Sequence, residues 1–166
     1  MSGEEGKLGQ YVSESYLDDR NNLKGTRLKL LCRTNSLPVM NRIGREVRPP
    51  WPQAHRLCLM CDHQVVEDVP HFVMDCPAYA RQRARLFACI ARALPHAPDS
   101  IDFASVTRSE KLHVILGKRS GCAKVDKSID RMVKSFLTKN WNARQPITSA
   151  INEALGVNYG IISRAR

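Results

Sequence analysis

The sequence predicts a mainly α fold, a small irregular helical domain, on three observations. Apolar residues recur at spacings of three and four nearly throughout, and strict alternation over strand lengths is hard to find. The 166 residues are 43% hydrophobic and 25% charged, which suits one globular domain, and no apolar run approaches the roughly 20 residues that a membrane helix needs. Four Cys and His residues with ligand-like spacing, between 58 and 76, supply a centre around which short helices can organise.

The elements follow in chain order. Residues 1–19 are acid-rich and are expected to be an N-terminal segment, in part disordered. A helix or two should lie between Tyr11 and Thr34, with Gly25 as the candidate break. Arg48, Pro49, Pro50, Trp51 and Pro52 must form an extended loop, because each proline fixes its own φ and restricts the residue before it. From Pro77, the residues Tyr79, Leu86, Phe87, Ile90 and Leu94 share one stripe with arginines off it. Pro77 suits the first turn and Pro95 ends the helix. Ser109 can cap a short helix carrying Leu112, Ile115 and Leu116, which Gly117 ends. Val125, Ile129, Met132, Val133, Phe136, Leu137 and Trp141 form the longest stripe, about five turns at 3.6 residues each. A further helix should start near Pro146 and run through Ile151 and Leu155 to Gly156. The expected organisation is thus a helical domain over 20–144, with a metal unit at about 56–80 inside it, and a C-terminal helix and tail over 145–166.

Charge is distributed in blocks. The chain carries 26 Lys and Arg against 16 Asp and Glu, a formal net charge of +10, so a polyanion is the first partner to consider. Residues 20–56 hold Arg20, Lys24, Arg27, Lys29, Arg33, Arg42, Arg45, Arg48 and Arg56 against Glu46 alone. Residues 57–80 hold Asp62, Glu67, Asp68 and Asp75 and no Lys or Arg, and arginines resume at 81, 83, 85 and 92.

The chemistry concentrates in that acidic island. Cys58, two residues, Cys61, nine residues, His71, four residues and Cys76 make a Cys3His set. Two cysteines separated by two residues can share one metal from a tight knuckle, and a later His and Cys close a tetrahedron of ligands suited to one zinc ion. Four protein ligands leave no open position, so the expected zinc is structural. His55 and His63 lie close enough to compete as the fourth ligand. The segment has few apolar residues for its length, which is where a metal replaces missing core. Cys32, Cys89 and Cys122 have no such companions and read as packing residues or free thiols. The first ten residues lack the basic flank and apolar stretch of a secretory signal, so the expected setting is intracellular, nuclear or cytoplasmic rather than secreted.

The succession TRLKLLCRTNSLPVMNRIGRE, HRLCLMC and VEDVPHFVMDCPAYARQRARLF resembles the C-terminal CCHC zinc-binding region of non-LTR (LINE-type) retrotransposon reverse transcriptases. The matching residues are Gly44 and Arg45, Arg56 to Cys58, Cys61, Glu67 and Asp68, His71 and Phe72, Cys76 and Pro77, Tyr79, and Arg81 or Arg83. EKLHVILG and the stretch Val133 to Arg144 are similar to that family's Leu-Gly segment and closing helix. The resemblance covers roughly residues 16–144. It implies a detached or domesticated piece without the polymerase domain, one that helps to grip RNA or DNA.

The expected function is a zinc-stabilised module that binds RNA or DNA through phosphate contacts. The arginines before and after the knuckle, Arg42, Arg45, Arg48, Arg56, Arg81, Arg83 and Arg85, are the candidate contacts, because guanidinium forks suit phosphate bidentately. Lys134 on the closing helix is expected to stand apart from them. The runner-up is a non-catalytic docking module that packs on a reverse transcriptase or another protein. No enzyme is expected. Tyr16, Leu17, Asp18 and Asp19 spell the YxDD of a polymerase palm, but polar flanks replace the apolar hairpin that two-metal chemistry needs. There is also no phosphate loop or nucleophile elbow.

Overall fold

The computed structural model describes residues 22–98, 101–117 and 119–156. Among these residues five α-helices follow one another, α1 (Leu23–Arg33), α2 (Met40–Glu46), α3 (Ala80–Ala93), α4 (Arg108–Leu116) and α5 (Ala123–Leu155). Among the described residues the β pairing is one antiparallel bridge between Leu57 and Val66. The fold is mainly α, as the periodicity predicts. The acidic N-terminal segment with its YLDD, and residues 157–166, lie outside the described residues. No helix among the described residues is long and apolar enough to cross a membrane.

Helix α5 is the spine, and both α1 and α3 pack against it. Its stripe of Val125, Ile129, Val133, Phe136, Leu137 and Trp141 is buried, with Met132 half-buried beside it. Leu28 and Cys32 of α1, Leu86 and Ile90 of α3, and Leu94 just beyond α3 complete one continuous core. Burial pushes the Cys32 thiol up to about 12, so it packs as a neutral side chain.

Several local expectations change. Gly25 does not break α1. A Cβ at that position would stand 2.6 Å from the Lys134 Cβ, so the bare backbone is what lets α1 lie against α5. Lys134 is not a surface cation: it is fully buried, and its Nζ meets Asp130 Oδ2 at 2.7 Å while Lys29 Nζ meets Asp130 Oδ1 at 2.8 Å. The α4 cap is Thr107 rather than Ser109. Glu110 N–H donates to Thr107 Oγ1 at 3.3 Å and Thr107 N–H donates to Glu110 Oε2 at 2.9 Å, a reciprocal capping box.

Pro146 starts no new helix, because α5 runs through it without a break. Proline in a helix interior frees the carbonyl four residues back. Here Pro146 and Asn142 are both exposed, so water can take that carbonyl. Arg144 and Thr148, buried on either side, keep the helix seated, and the expected boundary at 145 disappears.

Candidate metal centre and its arginine-bearing flanks

Cys58 and Cys61 stand on a short hairpin. Cys58 N–H donates to Val65 O at 2.8 Å and Glu67 N–H donates to Arg56 O at 2.9 Å, while Gln64, at φ 49°, turns the chain back between them. Met60 N–H reaches back to Cys58 Sγ at 3.4 Å. His71 opens a single π-helical turn, His71–Asp75, closed by Cys76 N–H donating to His71 O at 2.8 Å. An i to i+5 bond sets its two ends side by side, which is why a gap of four residues serves the second ligand pair. Asp68 Oδ1 caps the turn by accepting from His71 N–H at 2.7 Å.

The four donors converge. Cys58 Sγ lies 3.9 Å from Cys76 Sγ, Cys61 Sγ lies 3.6 Å from His71 Nε2, and all four donor atoms fall within 4.8 Å of one another, a group able to hold one metal ion. Burial raises the Cys58 and Cys76 thiols, so their thiolates need a cation beside them. Burial lowers the His71 pKa and favours the neutral imidazole, which is the ligating form. His55 and His63 are exposed and outside the group, and buried Cys32 and half-buried Cys89 and Cys122 lie outside it as well.

The unit is not poor in core, contrary to the expectation from its sequence. Val69, Phe72, Val73, Met74 and Tyr79 are all buried in the main core. The Phe72 ring meets Tyr79 edge-on at 5.2 Å and Trp141 of α5 at 6.1 Å. Alternation and helical period both fail here because the chain is neither strand nor α-helix, so its inward residues follow no simple spacing.

Two polar clamps fix the centre to the helices. Glu67, fully buried, accepts from Arg144 Nε at 2.7 Å and Nη2 at 2.6 Å, and its Oε2 also accepts from Met40 N–H at 2.8 Å at the start of α2. Asp75 pairs with Arg108 at the start of α4, Arg108 Nε donating to Oδ1 at 3.0 Å. Sequence reasoning missed the first clamp, since 77 residues separate its partners. The available signal was register: Arg144 lies three residues beyond Trp141 and seven beyond Leu137, on the buried face of α5.

The seven candidate arginines divide into two groups. Arg42 is paired with Glu46 at 2.6 Å, Arg56 donates to Trp51 O, and Arg83 donates to Cys76 O at 2.9 Å, holding the ligand turn. Arg45 and Arg48, in and just after α2, and Arg81 and Arg85, on α3, are exposed with no ion pair or hydrogen bond among the described residues.

The chain is thus a mainly α domain with a Cys3His cluster able to hold a metal ion. No protein-family model, curated protein or solved structure matches it.

Proposed function

We propose that this chain is a zinc-stabilised nucleic-acid-binding module derived from a non-LTR retrotransposon reverse transcriptase, gripping RNA or DNA mainly by its phosphates. The observation that carries binding is the two exposed arginine pairs on the segments that flank the Cys3His cluster, Arg45 with Arg48 and Arg81 with Arg85, which have no ion pair or hydrogen bond among the described residues. Unpaired guanidiniums take phosphate without first breaking an internal bond. The retrotransposon origin is supported by the residues quoted for the resemblance.

Zinc is supported by the ligand chemistry. At about 2.3 Å to sulfur and about 2.05 Å to nitrogen, a tetrahedral zinc sets edges of about 3.8 Å between sulfurs and about 3.6 Å from sulfur to nitrogen. The distances of 3.9 Å and 3.6 Å fit those edges. Cys58, Cys61, His71 and Cys76 would fill the coordination sphere, so the ion holds the fold and takes no substrate. Thiolate ligands suit a reducing interior, nuclear or cytoplasmic.

The test is a titration of the zinc-loaded chain against RNA and DNA at two salt concentrations. Four phosphates neutralised should give a slope of log affinity against log salt of about −2.8 on single strands and about −3.6 on duplex. Affinity no better than millimolar near physiological salt sinks the proposal. A second reading, a docking module for a reverse transcriptase, is favoured by Leu59 and Val65, which stand 53% and 40% exposed on the knuckle hairpin. Capture of a polymerase domain that Leu59→Ser abolishes would put it ahead.

A further inference from the structure

Among the described residues, one aromatic side chain stands outside the core. Phe72, Tyr79, Phe103, Phe136 and Trp141 are buried, and Phe87 is held edge-on to Phe103 at 5.4 Å. Trp51 is half-buried and belongs to no part of the core cluster. Its place is nonetheless fixed. Trp51 N–H donates to Gly44 O at 2.8 Å, and Trp51 O accepts from Arg56 Nε at 2.9 Å and Nη2 at 2.5 Å. Pro50 and Pro52 lock φ on either side. A Cβ on Gly44 would come within 3.1 Å of Trp51 Cε3, so the indole rests against bare backbone of α2.

The surroundings are cationic. Arg45 and Arg48 are exposed with no ion pair or hydrogen bond among the described residues, and Glu46, the one carboxylate between them, is taken by Arg42 at 2.6 Å. A ring seated by a stiff loop loses little entropy when it binds a flat partner, and every nucleobase has a π face to offer. Bases inside a duplex are already stacked on both faces, and only its two end pairs keep a free one.

We propose that Trp51 stacks on one unpaired nucleobase while Arg45 and Arg48 hold the adjoining phosphates, so that this loop selects single-stranded over duplex nucleic acid. The inference rests on the nucleic-acid reading above and adds the substrate class to it.

The chain has two tryptophans, and Trp141 is buried at 1% exposure, so the emission of Trp51 can be followed against an internal reference. The zinc-loaded chain is titrated with an unstructured oligouridine and with a blunt duplex of equal length, reading tryptophan emission and the anisotropy of a labelled strand. Single strand should bind more tightly and quench Trp51. Trp51→Leu should abolish the quench and weaken single-strand binding about 5- to 150-fold at each salt concentration, the range for one stacked base. Its salt slope and duplex affinity should not change, and Trp51→Phe should keep most of the affinity. Single-strand binding without a quench, or equal losses on single strand and duplex, overturns the stacking role and leaves the phosphate reading standing. No binding to either overturns both. If red-shifted Trp141 emission shows that Trp51→Leu has unfolded, the wild-type quench and the Trp51→Phe affinity decide the matter.

Discussion

The Glu67 carboxylate serves two elements at once, receiving the Arg144 guanidinium fork from α5 and the Met40 N–H at the start of α2. Both side chains are buried, so removing one leaves the other charged and unpaired in a poorly solvated place. Arg144→Leu should therefore cost about 3–5 kcal/mol in urea denaturation of the zinc-loaded chain. The double variant Glu67→Gln, Arg144→Leu should lose less than the sum of the single losses. A single-variant cost under about 1 kcal/mol would show the pair to be dispensable. Cys32 gives a pH signature. Its thiol is raised to about 12 from an ordinary value of 9.0, so the stability linked to it is fully present below pH 9 and is lost as pH rises toward 12. Cys32→Ala removes that titration, and the stability gap between wild type and variant should be constant up to about pH 9 and shrink above it. A gap that stays constant to pH 11 would contradict the burial.

At the scale of elements, the hairpin and the π-helical turn are too short to hold themselves, and their four donors would be joined by the metal. They also share Phe72 and Tyr79 with the main core. Chelation should thus lower the melting temperature of the whole chain and speed amide exchange in α5 as well as in residues 56–80. Cys61→Ser should do far more damage than Cys122→Ser. No metal by elemental analysis after zinc-supplemented expression, together with a melting curve unchanged by chelator, would remove the zinc proposal. Helix α5 carries a cost of its own at Pro146. Because that residue is exposed, Pro146→Ala should restore a helix hydrogen bond and raise stability by roughly 1–3 kcal/mol in the same urea experiment. A loss of stability would mean that the ring makes a contact worth more than the bond.

Over the whole molecule, basic residues near one another in sequence meet different fates. Lys29 and Lys134 are buried around Asp130, Arg56 and Arg83 brace the loops beside the metal centre, and Arg45, Arg48, Arg81 and Arg85 are left to solvent. Arg45→Ala and Arg81→Ala should each weaken binding to all sequences and reduce the salt slope by about 0.7–0.9. Lys134→Ala cannot serve as the neutral comparison, since it strips a partner from Asp130 and would lower stability. The exposed Lys139 takes that role, and its replacement by Ala should change neither slope nor affinity. An equal effect from Lys139 would move the binding surface onto α5.

The sequence alone determined the helical class, the buried stripe of α5, the helix between Pro77 and Pro95, and the four donors of the Cys3His cluster. Each of these is written in local spacing: a 3.6-residue period, a proline at a helix end, or two cysteines three apart. Tertiary structure decided what spacing cannot carry. Glu67 reads as part of an acidic island until Arg144 arrives from a helix far along the chain. Gly25 reads as a break until α5 lies across it, and Pro146 reads as a start until Arg144 and Thr148 seat the helix on both sides. The fate of a charge, a glycine or a proline depends on the neighbour and the dielectric it meets, and the chain sets both only by folding.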